Sequence, residues 1–227
     1  MRIQHVQLLT KHLDHLKTFY INELGLPLVK DSEDTFTVDI GRSALTFVQT
    51  DDAEEPFYHF AFDIPRNKIE ESVAWLESIG VAIHVFPDHS NSVYSESWNS
   101  TSVYFHDAGG NIVEFIARHD RGPDIDTPFT GDSLCSISEI GLVVSDVNKV
   151  KNAMHADYLM IEYKNGHDSF AAVGDEDGLF ILSAIGRVWL GSDKKAKVFR
   201  TEVTVEGSPA GEYAVGEYPY KLSVVRS

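Results

Sequence analysis

Three residues, His5, His59 and Glu114, each stand as a metal-capable side chain in the middle of a short apolar run. The runs are RIQHVQLL (2–9), FYHFAFDI (57–64) and NIVEFIAR (111–118), all strand-like in composition. An imidazole or carboxylate buried that way is costly unless something binds it, and one divalent cation would satisfy all three. Two imidazoles and a carboxylate leave open positions on a six-coordinate ion, which a catalytic metal needs and a structural one does not. The separations, 59 − 5 = 54 and 114 − 59 = 55 residues, are nearly equal. Two copies of one structural unit are therefore expected to share a single site.

The elements that must position these residues repeat in order. After the strand at 2–9, residues 12–25 place Leu13, Leu16, Tyr20 and Leu24 on one helical stripe that ends at Gly25. Three short strands follow, LPLVKD, TFTVDI and SALTFVQT, parted by polar and glycine-containing turns. The order then restarts: FYHFAFDI is a strand, 67–80 is a helix with Ile69, Val73, Leu76 and Ile79 on one stripe, and VAIHVF, TSVYFHD and NIVEFIAR are strands. This is βαβββ twice, with a period of about 55 residues. His5 and His59 occupy the same place on the first strand of each unit, and Thr46 falls opposite Glu114. Strand alternation puts His59 with Phe57, Ala61 and Asp63 on one face, and Glu114 with Ile112, Ile116 and Arg118. Tyr104 and His106 join that inward face if they share its parity.

RGPDIDTPFTGD (121–132) reads as a linker. Beyond it SISEIGLVV, DVNKVKNAMHADYL, YLMIEYK, SFAAVGD and GLFILSAI repeat the strand, helix and strands, and KVFRTEVTVEG opens a fourth unit with no amphipathic helix behind it. The expected fold class is α+β, with paired βαβββ modules forming incomplete barrels in two tandem domains, the second abridged. The expected domains are a metal-binding pair over 1–120, a linker over 121–133 and a degenerate pair without a metal site over 134–227.

Composition narrows the function. The chain of 227 residues is 43% hydrophobic and 24% charged, ordinary for a globular protein that buries a core. No run approaches the ~18 apolar residues of a membrane span, and MRIQHVQLL lacks the layout of a signal peptide. With 35 acidic against 19 basic residues the net charge is −16, and no basic face for nucleic acid is visible. The single cysteine, Cys135, rules out an internal disulfide framework and an all-thiolate zinc site, and reads as a small buried hydrophobe. These features lead to the expectation of a cytoplasmic protein that partners neither nucleic acid nor membrane.

The phrase SVYFHDAGGNIVEFIARHD is similar to the closing motif Tyr-Phe-x-Asp-Pro-x-Gly-Asn-x-x-Glu of the vicinal-oxygen-chelate superfamily, with Ala108 where proline is usual. That superfamily includes glyoxalase I, the extradiol ring-cleaving dioxygenases and the fosfomycin-resistance proteins. The resemblance covers residues 1–120 by motif and 134–227 by topology. It implies paired units around a metal, with ligands from the first strand of each unit and the last strand of the second. His5, His59 and Glu114 fall on those positions. Fe(II) or Mn(II) is the first expectation, with Zn(II) or Ni(II) able to accept the same donors. Tyr104, ten residues before Glu114, stands where the extradiol enzymes carry an active-site tyrosine and is the candidate catalytic residue.

Other residues receive plainer readings. His12 and His15 are expected in solvent, and His84, His89 and His106 line the cup or its rim. Gly109, Gly110 and Asn111 make the turn before the last strand. Glu139 stands in SISEIGLVV where His5 stands in RIQHVQLL, and reads as a partly exposed strand carboxylate. Residues 134–227 then complete the sheet, cover the cup or replace a partner subunit, leaving a monomer or homodimer. The ligand set implies an extradiol dioxygenase-like enzyme, although no acid–base histidine lies between His15 and His59. The alternatives are a glyoxalase- or fosfomycin-resistance-type lyase or transferase, and a non-catalytic protein that sequesters a small molecule. Threonine at position 46, where glyoxalase I relatives carry a carboxylate ligand, argues against ordinary glyoxalase activity.

Overall fold

The computed structural model describes residues 1–121 and 124–226; Gly122 and Pro123, inside the expected linker, lie outside the described residues. The repeat appears as four consecutive units. The first holds β1 (Arg2–Thr10), α1 (Leu13–Lys17), β2 (Leu28–Asp31), β3 (Thr35–Ile40) and β4 (Ser43–Gln49). Its helix continues past α1 as a π-helical stretch over Thr18–Glu23 and ends beside Gly25, whose φ is +69°. The second unit holds β5 (His59–Ile64), α2 (Ile69–Ser78), β6 (Val93–Ser95), β7 (Ser100–His106) and β8 (Ile112–Arg118). The third holds β9 (Ser136–Val144), α3 (Val147–Tyr158), β10 (Glu162–His167), β11 (Phe170–Asp175) and β12 (Gly178–Ala184). The fourth has only β13 (Thr201–Glu206), β14 (Gly211–Ala214) and β15 (Tyr220–Val225), abridged as its sequence implied.

One strand lies elsewhere than expected. VAIHVF makes only a single bridge, Ile83 to Phe105, and the strand beside β7 is β6, within the polar excursion. Val85 is exposed, and Pro87 brings no donor to extend a ladder.

The fold class stands, but the units pair differently from the expected domains. A seven-stranded sheet runs β14-β15-β13-β1-β4-β3-β2, so the first unit is completed by the fourth. An eight-stranded sheet runs β10-β11-β12-β9-β5-β8-β7-β6, so the second is completed by the third. The division at 121–133 therefore marks no boundary between sheets. The physical reason lies in the first strands. β1 and β5 each pair in parallel with the last strand of their own unit, which leaves one edge open. β13 fills the edge of β1 and β9 fills that of β5, both antiparallel. An exposed edge must be paired or covered, and the backbone groups that do so are the same in every unit.

At the centre of the larger sheet, β5, β8 and β9 are buried along their whole length. One face, with Phe60, Phe62, Val113, Phe115 and Ile140, joins the main core, where Trp75 of α2 stacks on Phe115. The other face lines a cup. Its lining comes from every strand from β6 across to β11, with only the edge strand β10 contributing nothing, so the sheet curls into a half-barrel.

Candidate metal centre

Register decides which side chains meet. In β5–β8, His59 lies opposite Ile112 and Ala61 opposite Glu114. In β9–β12, Glu139 lies opposite Leu179 and Gly141 opposite Ile181. In β1–β4, His5 lies opposite Ala44 and Gln7 opposite Thr46. His5, His59 and Glu139 are thus equivalent, and so are Thr46, Glu114 and Ile181. Because β9 lies antiparallel to β5, with Glu139 opposite Ala61, Glu139 enters the cup beside His59 and Glu114. Ligand atoms of these three residues all lie within 4.8 Å of one another, and all three side chains are buried.

The surroundings prepare each donor. His59 Nδ1 donates to the Ile112 carbonyl at 3.2 Å, which turns the lone pair of Nε2 toward Glu114. Burial holds the His59 pKa down to about 4, so the ring is neutral at pH 7 and its 3.6 Å approach to Glu114 is not an ion pair. Glu114 accepts hydrogen bonds from Ser102 and Tyr104. Burial, and then repulsion from Glu139, push its pKa up to about 8. Glu139 is also raised by burial, opposed by Arg118, whose guanidinium donates to it at 2.7 Å. Arg118 donates to Ser138 at 3.0 Å, and lies 3.5 Å from Asp63. Two facing buried carboxylates and one neutral imidazole make a site short of positive charge, and a divalent cation would supply it. The residues fit such an ion.

The structure brings His59 and Glu114 together, but it does not bring His5 to them. His5 lies on the seven-stranded sheet, half-buried, with Nε2 2.7 Å from Thr46 Oγ1, which is itself 2.7 Å from Thr37 Oγ1. Its single-site expectation is corrected by the pairing: the first and second units do not share a cup. Glu139 is corrected too, from a partly exposed carboxylate to a residue 3% exposed inside the cluster. Its equivalence with His5 is visible in the alignment of SISEIGLVV on RIQHVQLL, and the pairing of the second unit with the third brings it into the cup.

Tyr104 does face the cup, its phenol bonded to Glu114 and its ring 6.4 Å from that of His59. Burial and the nearby carboxylates hold its pKa well above the ordinary value. His106 and His89 are exposed, and His84 packs edge-on to Phe86 at the rim. His12 reaches Glu55 at the surface. The Gly109–Asn111 turn is tied down by Asp107, which accepts from Gly109 N, Asn111 N and Asn111 Nδ2, and from Tyr20. Asn111 in turn accepts from Tyr58 N, fixing β8 against β5. Cys135 is half-buried rather than core.

The cup encloses about 330 Å³. A larger cleft of about 670 Å³ between α3 and residues 214–218 contains none of the clustered ligands. Over the cup runs the segment between β12 and β13. It is anchored by Lys194 Nζ donating to the Gly110 carbonyl at 2.5 Å and by Ser192 against His106 at 3.2 Å. Trp189 lies 4.9 Å from the His59 ring, ring centre to ring centre. Gly141 makes that approach possible, since a Cβ there would sit 2.7 Å from the indole and 3.2 Å from the His59 carbonyl. No pattern in RVWLG marks this strap in the sequence.

Known structures share this architecture. The chain is similar to a putative dioxygenase from Bacillus subtilis, at 16% identity and a TM-score of 0.65, covering 99% of this chain and 85% of that one. It is also similar to a V278E mutant of glyoxalase I from Zea mays, at 16% identity and a TM-score of 0.60, covering 99% of this chain and 92% of that one. At such identities the likeness establishes the fold alone. No functionally curated protein matches the chain. Residues 2–115, half of its length, match the family described as the Glyoxalase/Bleomycin resistance protein/Dioxygenase superfamily, whose members are mostly enzymes. With the fold, the paired units and the sequence match in agreement, this chain belongs to that superfamily.

Proposed function

We propose that this chain is a metal-dependent enzyme that holds one divalent ion with His59, Glu114 and Glu139 and acts on a small molecule through its adjacent oxygen atoms. The observation that carries this reading is the convergence of three buried ligand atoms within 4.8 Å on adjacent strands, beside a 330 Å³ cup. When bound, the ion supplies Lewis-acid polarisation of a substrate oxygen. The chain's own residues supply the rest. His59 offers Nε2 as a neutral donor, fixed by the Ile112 carbonyl. Arg118 donates to Glu139 at 2.7 Å, orients it and opposes the rise in its pKa that burial causes. Ser102 and Tyr104 donate hydrogen bonds to Glu114 and orient its carboxylate in the cup. Trp189 and Tyr104 exclude water from the His59 side of the cup.

One imidazole and two carboxylates form a harder donor set than the two imidazoles and one carboxylate expected for ring cleavage. This favours proton transfer of the lyase or isomerase kind over extradiol oxygenation, and places Mn(II) ahead of Fe(II), Zn(II) and Ni(II). Elemental analysis of protein purified without added metal tests the site. Wild type and His5→Ala should each carry near one equivalent, and His59→Ala, Glu114→Ala and Glu139→Ala should carry little. Loss in His5→Ala alone would move the ion to the other sheet and refute the reading. No metal in any of them would leave a binding module. Oxygen uptake with catechols would restore ring cleavage.

A further inference from the structure

The cup holds one cation that the metal cluster does not use. Arg187, on the strap between β12 and β13, lines the cavity together with His59, Glu114 and Glu139. Its guanidinium is half-buried and stacks over the Phe170 ring, 5.0 Å from the ring centre. Among the described residues no side chain forms an ion pair or hydrogen bond with it. The two acids that line the same cavity are already engaged, Glu139 by Arg118 and Glu114 by Ser102 and Tyr104. A guanidinium presents a planar fork that matches a carboxylate, and stacking on Phe170 fixes the direction in which the fork points. Flat aromatic walls come from Trp98, Trp189 and Tyr104, with Ser95, Ser100 and Ser102 adding hydroxyls along one side. A volume of about 330 Å³ is at the small end of ligand sites.

We infer that the substrate is a small planar molecule of the arenecarboxylate class, its carboxylate held by Arg187 and its ring between the aromatic walls. This deepens the proposed function by giving its substrate class, and rests on the same cup being the substrate site. Half-burying a cation without a partner is unfavourable, and an anionic ligand supplies what the chain does not.

The test is a titration of tryptophan fluorescence with benzoate and with its neutral counterpart benzamide, since Trp98 and Trp189 line the cup. Wild type should bind benzoate about tenfold or more tightly than benzamide, as a charge-assisted fork contact would give. Arg187→Gln should lose that preference while binding benzamide within about twofold of wild type, which also confirms that the variant folds. If benzamide binding is lost, Arg187→Lys is read instead and should keep a reduced preference for benzoate. Equal affinities in wild type would overturn the inference. So would a preference that survives in Arg187→Gln, because the carboxylate would then sit on another group. Metal content separates the two readings: a benzoate preference in protein without metal leaves Arg187 standing and removes the metal-dependent reaction, and metal without the preference does the reverse.

Discussion

In the metal-free protein, the ionisation of Glu114 should make stability fall as pH rises through neutrality. Its pKa is about 8 in the fold against an ordinary 4.5, so the folded state binds the extra proton between those values. Stability from this group is full below pH 4.5 and is lost as pH climbs through 8. His59 works in the opposite sense. Its folded value of about 4 lies below 6.5, so the unfolded chain takes the proton first and stability falls as pH drops from 6.5 toward 4. Between pH 4.5 and 6.5 the two slopes cancel. From pH 6.5 to 8 only the Glu114 slope remains, at about 1.4 kcal/mol per pH unit, or roughly 2 kcal/mol over that interval. Glu139, raised by the same burial, acts in the same direction. The assay is urea unfolding of chelator-treated protein at half-unit steps from pH 6 to 9. Glu114→Gln should remove most of the fall, and a saturating divalent cation should reverse it, because the ion binds the deprotonated carboxylates. A flat or rising profile in metal-free wild type would refute the reasoning, as would a fall unchanged in Glu114→Gln.

Other perturbations probe the supports of the site. Arg118→Met leaves Glu139 and Asp63 buried without their cation and should cost about 3–5 kcal/mol by denaturant unfolding, with part recovered on adding Glu139→Gln. Tyr104→Phe keeps the ring but removes the hydroxyl that reaches Glu114; turnover should fall by about a hundredfold while metal content by elemental analysis stays at the wild-type level. Gly191 has φ +73° and sits flat against the Tyr104 ring, so Gly191→Ala should displace the strap. A loss of about 1–3 kcal/mol by thermal unfolding is expected, with weaker benzamide binding in the fluorescence titration.

Much of this architecture is written in local pattern. Alternation in RIQHVQLL, FYHFAFDI, NIVEFIAR and SISEIGLVV sets four strands and tells which residues share a face, because strand periodicity belongs to the chain itself. The same pattern shows the missing helix of the fourth unit and the equivalence of His5, His59 and Glu139. It does not say which open edges meet. The first strands of all four units present like backbone groups, and hydrogen bonds between strands do not read side chains, so the choice of β9 for β5 and β13 for β1 is made only by the packed whole. That choice separates His5 from Glu114 and brings Glu139 in its place. The raised pKa of Glu114, the pairing of Arg118 with Glu139, and the strap that sets Trp189 and Arg187 over the cup all depend on it. Each is a relation between residues far apart in the chain, created by burial in a shared cavity.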